Sequence, residues 1–243
     1  MDFKEIRKIS IDSIASNNEG FGVLSNLNWI RYERQVSEIS KFLSDNFKVL
    51  DIGCGRGMTG VMIKQINPTS DVTGVDLNKF TSWDNYYKKY NVKYFVGDAL
   101  DLKFNDNEFD LIFSFGVIEH VDSDQKFIRE NLRILKDGGI GFMFNIPNKY
   151  SSNEFTARKL GIWSHDIRYT RQQIKNLLTS NGIKEFTIKR RFLVPAQTSR
   201  VNNLIGKAFD KFHIQLDILD RVLCKTPLNF FSQVFDVVYR KEK

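Results

Sequence analysis

Cysteine is nearly absent. Cys54 and Cys224 are the only two in 243 residues, and their unrelated surroundings offer neither a disulfide framework nor a metal-binding pair. That usage fits a reducing compartment. The chain also lacks an uninterrupted apolar stretch long enough to cross a bilayer, and Met1-Asp2-Phe3-Lys4-Glu5-Ile6-Arg7-Lys8 carries charges where a signal peptide needs an apolar segment. The expected location is cytoplasmic. Histidines and cysteines at ligand spacing are missing as well, so no metal is expected. What is present, 42% hydrophobic residues, suffices for a full core, and the length suits one elaborated domain, 1–243, rather than two.

The stretch Val49-Leu50-Asp51-Ile52-Gly53-Cys54-Gly55-Arg56-Gly57 places a carboxylate near the end of an apolar strand and then strips the turn of side chains. Glycines at alternate positions let the backbone pass close to a bound molecule, and amides opening a helix at Gly57 can face an anionic group. Gly55-Arg56-Gly57-Met58-Thr59-Gly60 also matches the dinucleotide pattern G-x-G-x-x-G, a weak signal alone. Charge argues against that rival. A pyrophosphate is disfavoured by Asp51 beside the turn, whereas S-adenosylmethionine, with a sulfonium, an ammonium and one carboxylate, is cationic and complements it. Cys54 is expected to be small filler rather than a nucleophile.

Three further acidic or apolar strand ends follow. Asp71-Val72-Thr73-Gly74-Val75-Asp76 ends in an acid able to accept ribose hydroxyls, a device that dinucleotide enzymes share. Val92-Lys93-Tyr94-Phe95-Val96-Gly97-Asp98-Ala99 ends in another, although an Asp there also serves as an ordinary turn residue. Phe109-Asp110-Leu111-Ile112-Phe113-Ser114-Phe115 runs into the polar turn Gly116-Val117-Ile118-Glu119-His120-Val121. Short apolar runs near 47–52, 71–76, 92–97, 109–115 and 140–146, with helical patterns between them, predict a doubly wound α/β sheet with helices on both faces. Ligands of such sheets bind beyond the carboxyl ends of the strands.

The ordered set D-I-G-C-G-R-G, G-V-D-L, G-D-A-L, F-D-L-I-F-S and L-K-D-G-G resembles the class I S-adenosylmethionine-dependent methyltransferases, in their small-molecule branch, over about residues 47–193. The resemblance implies a Rossmann-like, mostly parallel seven-stranded sheet with an antiparallel last strand, and S-adenosylmethionine as cofactor. It further implies that Asp51, Gly53 and Gly55 hold the methionine end, Asp76 the ribose, Leu77 the adenine face, Asp98 and Ala99 the adenine edge, and that Phe115 lines the methionine portion.

Two histidines are catalytic candidates. His120, beside Glu119, could take the proton of an attacking hydroxyl, and His165 lies in the connection that borders the acceptor pocket of the resembled family. Each has an ordinary alternative as a packing or capping residue, and transfer to an activated methyl gains much from positioning alone. Thr170 is expected to cap a helix containing Ile174, Leu177 and Leu178, closed by Asn181-Gly182. Tyr32, in a helical cap spanning about 1–46, and Tyr169 are candidate substrate contacts; Trp29 is expected in the core.

Between a strand at about 183–193 and a last strand at about 232–239, residues 200–226 form a helical insertion. Val201, Leu204, Ile205, Ala208, Phe209, Phe212, Leu216, Leu219, Val222 and Leu223 recur there at helical spacing. This stripe is expected to cover the acceptor side of the site, with dimerisation or core enlargement as alternatives. Residues 1–150 hold 19 Lys/Arg and 21 Asp/Glu, net −2, whereas 151–243 hold 17 and 8, net +9. The basic half suits an acidic or amphiphilic acceptor, a peripheral membrane contact or simple solvation. No RNA-binding motif is present, and Ser114-Phe115-Gly116-Val117 stands where an amino-methylating enzyme carries Asn-Pro-Pro-Tyr. The expected function is methyl transfer to a small molecule, O-methylation of a sugar, quinone precursor or lipid-linked intermediate. An RNA-directed enzyme and a non-catalytic cofactor-binding protein are the alternatives.

Overall fold

The computed structural model describes residues 3–17, 25–161, 164–195 and 203–243. Trp163, Arg200 and Val201 lie outside these, as do parts of the expected 1–46 cap and 200–226 insertion. The chain runs α1 (Lys4–Asn17), α2 (Asn26–Ser40), β1 (Lys48–Ile52), α3 (Met58–Ile66), β2 (Asp71–Asp76), α4 (Ser82–Tyr90), β3 (Lys93–Val96) and β4 (Phe109–Phe115). It continues through α5 (Asp124–Ile134), β5 (Leu135–Pro147), α6 (Ser152–Lys159), α7 (Arg171–Ser180), β6 (Phe186–Arg191), α8 (Asn203–Lys211), α9 (His213–Leu223) and β7 (Val234–Arg240). The seven strands lie in the order β3-β2-β1-β4-β5-β7-β6, with β7 antiparallel to both its neighbours.

Alternation along the central strands builds a core on each face. Leu50 and Ile52 join Ile112, Phe127 and Ile128 on one side, whereas Val49 joins Leu111, Phe113 and Val61 on the other. The reversal of strand order beside β1, between β2 and β4, sets the crevice in which such sheets bind ligands. Expected and observed boundaries agree closely for β2 and β4. β5 departs, running from Leu135, because Lys136–Gly139 bulges out between the Phe109↔Leu135 and Leu111↔Ile140 pairs. A second irregularity opposite β7, between Met143 and Ile146, holds Asn145 at φ 62°. Thr170 caps α7 in a full capping box with Gln173, as its position predicts.

The described part of the insertion, 203–226, does not cover the cleft. Among the described residues, none from 203–226 lines the central cavity, and α8 and α9 pack on the outer side of α2. The expected stripe is split: Phe209, Leu216 and Leu223 pack around Leu27 and Val194, whereas Leu219 and Val222 are exposed. Its anchor is polar. Asp220, 1% exposed, accepts from the amides of Leu193 (2.7 Å) and Val194 (2.8 Å) and stands 3.5 Å from the buried Arg31 guanidinium. Burial pushes the Arg31 pKa down to about 10 despite Asp220, so the guanidinium stays charged at neutral pH. Asp220→Ala is expected to destabilise by about 3–5 kcal/mol, since it leaves a charge and two amides unpaired in the interior. Arg221→Ala, which removes the exposed partner of Asp217 while Arg34 still pairs with that acid, is expected to cost under about 1 kcal/mol. Chemical denaturation distinguishes the two.

Candidate active site

β1 delivers Asp51 to the base of a cavity of about 1230 Å3 at the carboxyl end of the sheet. Asp51 is 1% exposed. Its Oδ2 accepts a hydrogen bond from the Thr59 hydroxyl, and the Gly60 amide also favours its charge. Burial outweighs both and pushes its pKa up to about 7. The groups that meet this carboxylate are a hydroxyl and an amide rather than a cation, which is the environment a cationic ligand would complete.

The turn after β1 is held by neighbouring elements. The Gly55 amide donates to Asp76 Oδ2 (2.8 Å), and the Gly55 carbonyl accepts from Trp83 Nε1 (2.7 Å). Gly53 (φ 67°) and Gly55 (φ 50°) need glycine for different reasons. A Cβ on Gly53 would lie 2.4 Å from Val117 Cγ2, an intramolecular clash, whereas a Cβ on Gly55 would meet nothing within 4 Å. Only Gly55 of the two opens onto free space. Cys54 is buried, and desolvation pushes its thiol well above the usual range, so it is packing rather than nucleophile.

Every residue expected at the cofactor lines this one cavity: Asp51, Gly53, Gly55, Asp76, Leu77, Asp98, Ala99 and Phe115. Asp76 Oδ1 additionally accepts from the Asn78 amide (3.0 Å), so it braces the turn while facing the cavity. Leu77 is 67% exposed, an apolar face with no protein partner to cover it. Asp98 also plays its ordinary role, its Oδ1 accepting from the Leu100 amide (2.8 Å) in a tight turn. Phe115 stacks on Phe144 (4.8 Å) and leans on Tyr32 (5.3 Å), which is on the wall as well. Tyr169 is not. It is 7% exposed, its hydroxyl donates to the Ile118 carbonyl (3.4 Å), and it belongs to the core. Trp29 packs in the core as expected.

The two histidines converge although 45 positions separate them in the chain. Their rings lie 6.1 Å apart, and Glu119 Oε1 is 3.9 Å from Nε2 of each. All three line the cavity. Burial pushes Glu119 up to about 7, and its Oε2 is buried without a hydrogen bond. Burial and the neighbouring His165 lower the His120 pKa, so that ring is neutral at pH 7. Behind His165 stands Glu154, whose Oε1 is 2.8 Å from Nδ1 and whose Oε2 accepts the His165 amide (2.9 Å). Burial raises the Glu154 pKa, but its hydrogen bond and charge interaction with His165 outweigh this and hold it below the usual carboxylate range. Glu154 at Nδ1 orients the ring so that Nε2 faces Glu119.

The lone spacing of His120 and His165 predicts no metal site, but the fold brings one donor atom each from Glu119, His120 and His165 within 4.8 Å of one another. Sequence reasoning also missed Glu154, Gln35 and Asn145. Gln35 and Asn145 line the opposite part of the wall, with Gln35 Nε2 donating to Asn145 Oδ1 (2.9 Å) and to Asp236 Oδ1 (3.0 Å). No spacing signal joins residues so far apart in the chain.

Residues 50–143 match the family model described as a methyltransferase domain. The ubiquinone biosynthesis O-methyltransferase of Pelagibacter ubique is 30% identical over 186 residues, covering 67% of this chain and 75% of that protein. The protein of the same name from Rickettsia typhi is 28% identical over 150 residues, and this chain spans only 60% of its length. Among solved structures, phosphoethanolamine N-methyltransferase 2 of Haemonchus contortus, in complex with S-adenosyl-L-methionine, superposes with a TM-score of 0.61 at 17% identity, over 98% of this chain and 57% of that one. With its sheet order, its strand-end acids and its likeness to the Pelagibacter protein all in agreement, the chain belongs to the class I S-adenosylmethionine-dependent methyltransferases.

Proposed function

We propose that the protein transfers a methyl group to a hydroxyl oxygen of a small, partly apolar acceptor of the quinone-precursor type. The observation that carries this reading is the Glu154–His165 contact of 2.8 Å at Nδ1, which turns the other ring nitrogen toward the cavity. The names of the two curated relatives support the acceptor class. S-adenosylmethionine, when bound, supplies a methyl group already activated on a sulfonium.

The cavity fits that group. Gly55 leaves room at the turn, and Asp51 is a buried carboxylate lacking a cation partner in its own hydrogen bonds. Asp51 takes the ammonium of the methionine end, Asp76 the ribose hydroxyls, and Leu77, Asp98 and Ala99 the adenine. Tyr32 takes the acceptor side and leans on Phe115 of the cofactor wall. Burial and the carboxylates of Asp51 and Glu119 raise the Tyr32 pKa, so its hydroxyl keeps its proton and can donate to the acceptor. His165 Nε2 accepts the acceptor's hydroxyl proton as the oxygen–carbon bond forms and the carbon–sulfur bond breaks, and Glu154 stabilises the resulting imidazolium. His120, neutral and 59% exposed at its side chain, stands nearer solvent and suits proton exchange.

Cofactor affinity is expected to depend on pH. Asp51 is protonated below about 7 and ionised above it; only the ionised form pairs with the ammonium, so binding strengthens from pH 6 to pH 8 and releases protons. Calorimetry in buffers of different ionisation enthalpy reads both effects, and Asp51→Asn is expected to flatten the profile and weaken binding.

His165→Ala is expected to lower kcat by roughly 10²- to 10⁴-fold with cofactor affinity unchanged. Glu154→Gln, which leaves the ring without its ionised partner, is expected to give a smaller loss. Steady-state rates on phenolic acceptors measure this. If instead the rate collapses on chelation and returns with a divalent ion, Glu119, His120 and His165 act as ligands, a second reading that their proximity of 4.8 Å supports; survival of the rate in chelator keeps the imidazole as base.

A further inference from the structure

The last helix before β7 has its polarity reversed. Asp217 and Asp220 of α9 are 5% and 1% exposed, whereas Ile214, Ile218, Leu219 and Val222 are 56%, 48%, 48% and 57% exposed. A surface helix ordinarily does the opposite. The acids turn inward because α2 presents cations to them, with Arg34 3.1 Å from Asp217 and Arg31 3.5 Å from Asp220. Residues 214, 218 and 222 are four apart and therefore share one outward face, with Leu219 beside it. The surface continues into the 3-10 turn Pro227–Phe231, where Leu228, Phe230 and Phe231 are 52%, 41% and 48% exposed. Asn229 Nδ2 donates to the Cys224 carbonyl (3.2 Å) and ties that turn to the end of α9.

Charge follows the same division. All three acids of 203–231 are engaged toward the body, Asp210 accepting from the Asn26 amide (3.0 Å) and Asp217 and Asp220 facing α2. Lys211, Arg221 and Lys225 of the same segment are exposed, Arg221 also pairing with Asp217 Oδ2 (3.3 Å). Long basic side chains beside aliphatic ones can lay their stems along an apolar phase and keep their charges at its edge.

We propose that α9 and the turn Pro227–Phe231 form a docking surface for an anionic phospholipid bilayer. Ile214, Ile218, Val222 and Phe231 enter the interfacial region, and Lys211, Arg221 and Lys225 meet the headgroups. A two-fold contact with a second copy is the poorer occupant, since it would bring two surfaces of the same positive charge together, whereas acidic lipid neutralises them. The reading is independent of methyl transfer, because none of these residues lines the cavity.

Flotation of the full chain with vesicles of phosphatidylcholine, alone or mixed three to one with phosphatidylglycerol, tests it. Retention is expected on the mixed vesicles, not on the neutral ones, and is expected to fall as salt rises. The double variant Ile218→Glu with Val222→Glu changes only exposed positions, so its circular dichroism and its S-adenosylmethionine affinity should match the parent while retention falls about tenfold or more. Lys211→Glu with Lys225→Glu should remove the anionic preference. Failure to float with the mixed vesicles, equal retention on both compositions, or undiminished retention of the Ile218/Val222 variant would overturn the proposal. So would a dimer, seen by sedimentation, that the same variant dissolves while the parent ignores lipid.

Discussion

Removing Asp51 from water is the constraint around which the cofactor half of the molecule is arranged. A carboxylate at the tip of an interior strand has no solvent to stabilise it, so α3 must begin where the Thr59 hydroxyl and the Gly60 amide can reach it. That position of α3 fixes the turn before it. The turn is then clamped from outside, by Asp76 of β2 on the Gly55 amide, by Trp83 on the Gly55 carbonyl and by Ser82 on the Arg56 carbonyl. Even so, the carboxylate is left strained electrostatically, with a pKa near neutrality. A site held short of full satisfaction has free energy to gain when a ligand of opposite charge arrives.

The acceptor half uses the same chemistry with two outcomes. Glu119 and Glu154 both approach His165, yet burial raises the first to about 7 while the partnered imidazole holds the second low. One carboxyl can therefore exchange a proton near neutral pH as the other stays a fixed negative charge. Their separation of roles comes from surroundings alone, since the side chains are identical.

Much of the sheet was legible because its strands are buried on both faces and so read as continuous apolar runs; Asp71–Asp76 and Phe109–Phe115 fall where those runs do. The cofactor wall was legible for a related reason: the carboxyl ends of neighbouring parallel strands are brought together by topology, and Asp51, Asp76, Asp98 and Phe115 each sit at one. The acceptor wall was not. Glu154 and His165 meet through the α6 connection, and Gln35 reaches Asn145 across 110 positions, where no periodicity links the partners. Tyr169 misled because its neighbourhood is right but its ring turns into the core, an orientation set by the Asn148↔Tyr169 bridge. For α9, periodicity did not resolve the faces: Leu216 and Leu223 of the expected stripe turn inward, Leu219 and Val222 turn outward, and Ile214 and Ile218 of the exposed face lay outside it, because the orientation depends on Arg31 and Arg34 of a helix nearly two hundred residues earlier.

α2 belongs to both halves at once. Arg31 and Arg34 pair with the acids of α9, while Tyr32 and Gln35, neighbours on the same helix, stand in the cavity wall, which Arg31 also lines. Because both sets of side chains project from one helix, a tilt of that helix moves them together. The cavity wall and the surface of α9 are thereby joined mechanically through α2.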